Sequence, residues 1–104
     1  MLNVVTQTFV GSAHLICTGR LVHGPGCDSL RRMVENRNES VVEIDLADVQ
    51  AVDAAGLGTL ALLHHQLHRD GRELVLLSVP EYFVHLLRLT ALDSILNVRD
   101  YCSA

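Results

Sequence analysis

The sequence predicts an α/β fold in which a mixed sheet of four to five strands carries helices mainly on one face. Apolar residues alternate over Val41–Leu46, the period-2 pattern of a half-buried strand. From Ala54 onward the apolar residues recur instead at helical spacing. Glycine and proline divide the chain into the order β-β-α-β-α-β-α, which combines a hairpin with two right-handed crossovers.

The first part of the chain is predicted to form a hairpin followed by a helix. The hairpin consists of a strand over Leu2–Val10, a turn at Gly11–Ser12 and a second strand over His14–Gly19. Val22–Gly26 holds two glycines and a proline, so we expect a loop there. Asp28 or Ser29 can then cap a helix that extends to about Asn36.

The second part continues from the strand over Val41–Leu46 through a connection at Ala47–Val52. Asp53 is the predicted N-cap of a long helix from Ala54 to about Arg69, because its carboxylate can accept from free N–H groups of the first turn. The later elements are a left-handed stop at Gly71, a strand over Glu73–Ser78, a helix with Pro80 at its first position that ends near Thr90, a helical turn over Leu92–Leu96 and a weak strand near Asn97–Arg99.

Two glycines, Gly56 and Gly58, lie in the first turn of the long helix. Each costs on the order of 1 kcal/mol relative to alanine in a helix interior. Such a pair indicates that another backbone or a partner approaches closely, or that the exposed turn must stay small.

Length and charge place the chain among small acidic globular proteins. Its 104 residues predict one domain over residues 1–104, and the net charge is −4 without any basic block. Nucleic-acid binding through phosphate neutralisation is therefore not expected. The longest uncharged run, Ala54–His68, is too short and too polar to span a bilayer, and the N-terminus lacks a signal-like segment. We therefore expect a cytoplasmic protein that does not insert into membranes.

Cysteine and histidine offer no convincing metal or catalytic site. Cys17, Cys27 and Cys102 are odd in number and form no C-x-x-C pair, which argues against a disulfide framework or a zinc cluster. His64 and His68 have the i, i+4 spacing that can bind zinc, but no third ligand is indicated, so we interpret them with His65 as surface or boundary residues. No metal and no other cofactor is expected.

One local grouping, Cys27 with His23 and Asp28, contains the side-chain types of a nucleophile, a base and an orienting group. These residues are neighbours in sequence rather than convergent in space, and nothing supplies a substrate pocket. We therefore predict that the chain is not an enzyme.

The segment from Asp53 to Gly58 resembles the core motif of the STAS domain family, in which Asp-Ser-Ser/Thr-Gly-Leu-Gly joins a hydrophobic strand to a helix. Here it reads Asp-Ala-Ala-Gly-Leu-Gly. Three further matches follow the family order, namely Gly19-Arg20-Leu21, Gly71 before the strand Glu73–Leu77, and Thr90-Ala91-Leu92-Asp93 before Ile95-Leu96. The resemblance covers nearly the whole chain and implies the family's mixed sheet.

The resemblance also implies a function, because the family includes bacterial anti-sigma factor antagonists. In these proteins the serine after the motif aspartate is phosphorylated by the anti-sigma factor, a histidine-kinase-like ATPase. The unmodified domain binds that factor and so releases the sigma factor. Ala54 occupies the serine position here, and Val22 replaces a second landmark, an aspartate of the family. Neither carries a hydroxyl or a charge, so we expect a domain that cannot be switched at the usual residue.

The docking surface that the resemblance implies centres on the motif and on the loop before the first helix. Its predicted residues are Val22, His23, Gly24, Asp53, Ala54, Ala55, Gly56, Leu57 and Gly58. The family also includes cytoplasmic domains of sulphate transporters. The alternative hypothesis is therefore a cytoplasmic subunit of a membrane complex that transports lipids or anions. A third hypothesis is an inert scaffold within a larger signalling assembly. An exposed first strand that pairs edge to edge leaves a homodimer open.

Overall fold

A five-stranded sheet forms the frame of the computed structural model, which describes residues 2–99. The elements in order are β1 (Leu2–Phe9), β2 (Ser12–Leu21), α1 (Pro25–Glu35), β3 (Val41–Val52), α2 (Ala54–Arg69), β4 (Glu73–Leu77), α3 (Glu81–Leu89), a 3₁₀ turn (Leu92–Ser94) and β5 (Asn97–Val98). The strands lie side by side in sequence order; β1 is antiparallel to β2, and each later pair is parallel. The predicted mixed sheet is confirmed. Each of its parallel pairs needs a crossover, so residues 2–99 contain three crossovers rather than two.

The core lies between one face of the sheet and the helices. Leu15, Ile44 and Leu76 are register partners on neighbouring strands, and all three are fully buried. Residues from each helix complete the same cluster, namely Leu30, Val34, Leu57, Leu60, Leu63, Leu67, Phe83 and Leu87. This burial supplies the main driving force for folding, at roughly 25 cal/mol per Å² of apolar surface.

The other face of the sheet carries polar residues. The His14 imidazole lies between the carboxylates of Glu43, 3.8 Å from Nδ1, and Asp45, 3.7 Å from Nε2. Arg99 reaches across the sheet to Glu43 at 3.1 Å. Alternation of residues along β2 and β3 therefore separates an apolar face from a charged one, as the period-2 pattern predicts.

The prediction that Ala47–Val52 is a connection was wrong, because these residues continue β3. Pairing with β2 advances from Asp45 to Asp48 where β2 advances by only two residues, and it shifts again at Gln50. Each shift is a β-bulge, which inserts one extra residue and breaks the alternation. Leu46 and Val49 are therefore both buried although three positions separate them, and the sequence pattern loses its period of two at that point.

Two helix starts also differ from the prediction. Helix α1 begins at Pro25 with Gly24 as its N-cap, so Asp28 lies within the first turn and neither it nor Ser29 is the cap. Proline suits the first helical position because the missing N–H has no partner there. At α3, Pro80 is the cap residue rather than the first helical residue, since its ψ of 156° is extended.

The end of α2 is as predicted. Gly71 has a φ of 74°, the left-handed conformation that ends a helix without a Cβ penalty. Its N–H donates to the His68 carbonyl at 3.0 Å, and the Arg72 N–H donates to the Leu67 carbonyl at 2.8 Å. This pair of bonds is a Schellman motif, which satisfies carbonyls at the end of the helix.

Candidate functional site

The Asp53 carboxylate connects two segments at the carboxyl ends of β2 and β3. Its Oδ1 accepts from the Gly56 N–H at 2.8 Å, which is the predicted N-cap bond. Its Oδ2 accepts from the backbone N–H of His23 at 3.0 Å. One side chain therefore holds the loop before α1 against the first turn of α2, and the cap prediction is confirmed.

The pKa of Asp53 lies below its usual value, first because of the hydrogen bond from the His23 N–H and then because of the bond from Gly56. Both bonds stabilise the ionised carboxylate. A lowered pKa in the folded state means that stability is present above the unfolded pKa, near 3.9. That stability is lost as the pH falls through the folded pKa.

We expect Asp53→Asn to remove part of the acid sensitivity of the fold, because the amide can still cap the helix but no longer titrates. The melting temperature of the native chain should fall more steeply below about pH 4 than that of the variant. Thermal unfolding by circular dichroism across the acid range measures this difference. Asp70→Asn, at the other end of the same helix, is the matched control. An equal effect from that variant would contradict the assignment to Asp53.

At Gly56 the start of α2 lies close to the end of β2. A Cβ placed there would overlap the Leu21 carbonyl oxygen and would lie 2.7 Å from Cγ2 of Val52. Gly58 has open space at the same point. The two glycines are therefore explained differently. The contact with the Leu21 backbone leaves no room for a side chain at Gly56, whereas Gly58 only keeps the exposed turn small.

The predicted docking residues lie at one end of the molecule but are not equally accessible. His23, Ala54 and Gly58 are exposed, and Val22, Gly24 and Ala55 are half-buried. We call these six residues the Ala54 surface. Asp53 lies at its centre, with both carboxylate oxygens turned to backbone N–H groups. Gly56 and Leu57 are buried, so they lie beneath this surface and are not accessible to a partner.

Sequence reasoning missed how far this surface extends along α2. Leu62 is 39% exposed, and Ala54, Gly58, Leu62 and His65 follow one another at near-helical spacing on the solvent side of the helix. The i+4 and i+8 positions from Ala54 were the available signal. From Ala54 to His65, the exposed side of α2 thus offers a strip of small and apolar residues without a formal charge, if histidine is counted as neutral.

The hydroxyl nearest to Ala54 along α2 belongs to Thr59, and it is buried and hydrogen-bonded. Thr59 is 8% exposed, and its Oγ1 donates to the Ala55 carbonyl at 2.8 Å. An N-terminal helix turn would otherwise suit a phosphate, because free N–H groups and the helix dipole favour negative charge. The acceptor hydroxyl is the missing group, since Ala54 and Ala55 hold only methyl side chains.

A second missed contact lies at the β3 bulges. Beyond Asp45, β3 has no register partner on β4, because the pairing between these two strands ends at Leu77. The Tyr82 hydroxyl donates to the Val49 carbonyl in that segment. Burial raises the pKa of Tyr82 above its usual value. The bond ties the start of α3 to the unpaired side of β3.

The other groupings noted in the sequence involve histidine and cysteine. His64 and His68 stack with ring centroids 5.8 Å apart. Within residues 2–99, no three histidine, cysteine, aspartate or glutamate side chains converge as metal ligands would. Cys27 is 6% exposed and belongs to the core, whereas His23 and Asp28 are exposed. Burial raises the pKa of Cys17 to about 12. Cys102 lies outside the described residues.

None of the helices between residues 2 and 99 has both the length and the apolar character needed to cross a bilayer.

Comparison with known proteins gives a consistent family. The model of the STAS domain matches residues 27–102. Among solved structures, a protein from Thermotoga maritima, provisionally described as an anti-sigma factor antagonist, superposes with a TM-score of 0.83 at 20% identity, covering 91% of this chain and 84% of its own. An anti-sigma factor antagonist from Mycobacterium paratuberculosis gives 0.80 at 16% identity, covering 99% and 87%. A sulfate transporter family protein from Wolinella succinogenes gives 0.78 at 19% identity, covering 91% and 81%.

Proposed function

The chain belongs to the STAS domain family, and we propose that it acts as an anti-sigma factor antagonist that cannot be switched off by phosphorylation at the usual position. Its partner is an anti-sigma factor of the kinase-like ATPase type, which it binds through the Ala54 surface. Binding sequesters that factor and releases a sigma factor in the cytoplasm. The domain works by protein contact and performs no catalysis.

One observation carries the proposal: the exposed start of α2 is small, uncharged and without a hydroxyl. Ala54 is exposed at the first helical position, and Gly58 and Leu62 continue the same side of the helix. Protein interfaces have centres depleted of charge and rich in apolar contact. Both oxygens of Asp53 accept from backbone N–H groups, of His23 and of Gly56. The turn is therefore already ordered before binding, so docking costs little further conformational entropy.

The family resemblance supports the choice of partner. In the antagonists that the motif resembles, the anti-sigma kinase phosphorylates the serine of this turn, which implies that the kinase contacts the turn. Phosphorylation would add roughly two negative charges at that turn and so oppose docking. A chain with alanine at that position stays in the uncharged form that binds. We therefore propose constitutive binding rather than a loss of function.

We expect the native chain to remain unphosphorylated when it is incubated with its cognate anti-sigma kinase and ATP, because no hydroxyl is accessible between Asp53 and Thr59. Ala54→Ser should gain one phosphoryl group, since the new hydroxyl would be exposed at the helix start. Intact-mass and peptide mass spectrometry measure both results.

The serine variant also provides the control for partner identity. Phosphate on the Asp53–Thr59 peptide of the native chain would contradict the proposal. Failure of Ala54→Ser to accept phosphate from a kinase that binds it tightly would show that the turn is not presented to that active site.

The alternative function is a subunit of a membrane transport complex. It is favoured by the similarity to the sulfate transporter family protein, whose TM-score is close to those of the two antagonists. Affinity purification from the native lysate distinguishes the two. Recovery of a kinase-like ATPase together with a sigma factor supports the first, and recovery of a permease with its transport ATPase supports the second.

A further inference from the structure

Within residues 2–99, strand β1 is an open edge of the sheet, since it pairs with β2 on one side and with no strand on the other. The pairing over Leu2–Phe9 is regular, without a bulge. The strand contains no charged residue and no proline. Natural edge strands usually carry at least one of these features, because a regular edge otherwise offers its free N–H and C=O groups to another strand. This edge lacks the common protections.

The same strand exposes apolar side chains. Val5 is 58% exposed, Phe9 is 59% exposed, and Val10, in the turn that follows, is fully exposed. Val5 and Phe9 lie on one face, because residues separated by an even number share a face of a strand. Their face is the one opposite the helices, since Leu2, of the other parity, is buried in the core.

We propose that β1 pairs antiparallel with β1 of a second copy of this chain, about a two-fold axis at Gln7. In this register Val5 faces Phe9 of the second copy, and Phe9 faces its Val5. Thr6 faces Thr8, and Val4 faces Val10. Val5, Phe9 and Val10, the exposed apolar residues of β1 and its turn, thus each face an apolar residue of the second copy. Thr6 and Thr8 form a cross-strand threonine pair, which is favourable.

Neighbouring registers are poorer. A two-fold axis at Thr6 places Val5 opposite Gln7, and an axis at Thr8 places Phe9 opposite Gln7. A register whose axis passes through a residue pairs positions of equal parity, so outward-facing backbone groups meet outward-facing groups. The Gln7 axis is therefore compatible with the hydrogen-bond pattern and also matches the side chains. This self-complementarity identifies a second copy, rather than an unrelated strand, as the occupant.

The dimer would join two five-stranded sheets into one continuous sheet. None of the interface residues belongs to the Ala54 surface, so the dimer is independent of the proposed function. Both copies would present their docking surfaces, and a bivalent partner would gain effective concentration from this arrangement. Closed two-fold symmetry also ends growth at this edge, because the pairing uses β1 of both copies.

Sedimentation velocity tests the association directly. The native chain should sediment as a dimer at about 100 μM and dissociate on dilution, as mass action requires. Val5→Lys should raise the dissociation constant at least about 30-fold, because each copy loses an apolar pair and gains an unpaired charge at the interface. Leu89→Lys, which places the same charge at a residue 70% exposed on α3, should leave the dimer intact. A native chain that stays monomeric, or equal effects of the two lysines, would overturn the proposal.

Disulfide trapping tests the register by the gain of a covalent cross-link rather than by a loss of dimerisation. Gln7→Cys places two thiols on the axis, within the Cα separation that a disulfide accepts. Asn3→Cys, on the same strand and the same face, places them roughly eight strand positions apart, about 25 Å. Both variants are made with Cys102→Ser. Rapid cross-linking of the Gln7 variant alone is expected, and equal cross-linking of both would overturn this register.

Discussion

Replacing Gly56 by alanine should lower the free energy of unfolding by about 3 kcal/mol, because the added methyl has no space. It would overlap the Leu21 carbonyl oxygen and lie 2.7 Å from Cγ2 of Val52. Both neighbours belong to strands of the sheet, so relief requires α2 to move away from β2. That movement would also lengthen the bond from the His23 N–H to the Asp53 carboxylate. A loss of this size is a large part of the stability of a domain of this length.

Gly58→Ala is the matched control, since it makes the same chemical change two residues later on the same helix. No atom lies within 4 Å of the added methyl. Alanine should therefore stabilise the helix by about 0.5–1 kcal/mol through its higher propensity. Urea unfolding followed by far-UV circular dichroism measures both free energies. Destabilisation by both alanines would show that the helix start, rather than its contact with Leu21, is what Gly56 serves.

The elements that depend on local chemistry could be predicted from the sequence. Asp53 caps α2 because a carboxylate before an apolar helix has free N–H groups to accept from. Gly71 ends the same helix because its left-handed conformation suits glycine. The hairpin was also predictable, since Gly11 interrupts two strands of suitable composition. These signals lie within a few residues of the feature that they determine.

The features that depend on distant contacts could not be predicted. Strand β3 continues past Leu46 because β2 pairs with it through two bulges, and bulges remove the periodicity that identifies a strand. The sequence leaves the reason for Gly56 open between a close backbone, a partner and a turn that must stay small, because Leu21 lies 35 positions earlier in the chain. The bond from Tyr82 to Val49 joins two elements in the same way.

The candidate site shows the same division. The family motif placed Asp53 and Ala54 correctly at the start of α2, because the cap is local. The hydrogen bond between Asp53 and the His23 N–H depends on how β2 and β3 end beside each other. Exposure of Leu62 depends on how α2 lies against the sheet. Periodicity alone does not set the width of the buried stripe on a helix.

Ala54→Glu should weaken binding to the anti-sigma factor by at least about 100-fold, or roughly 3 kcal/mol. The new carboxylate would lie next to Asp53 on a surface without lysine or arginine, where docking must remove its water without supplying a counter-charge. The fold itself should tolerate the change, because Ala54 is exposed and a negative charge at a helix N-terminus is favourable. Isothermal titration calorimetry measures the affinity, and thermal unfolding confirms that the variant is folded.

Two variants separate this effect from less specific ones. Ser40→Glu adds the same charge at an exposed residue at the other end of β3, and it should leave the affinity unchanged because it lies outside the Ala54 surface. Unphosphorylated Ala54→Ser adds polarity but no charge, so it should lose much less affinity than the glutamate variant. If Ala54→Glu binds as tightly as the native chain, the partner docks elsewhere.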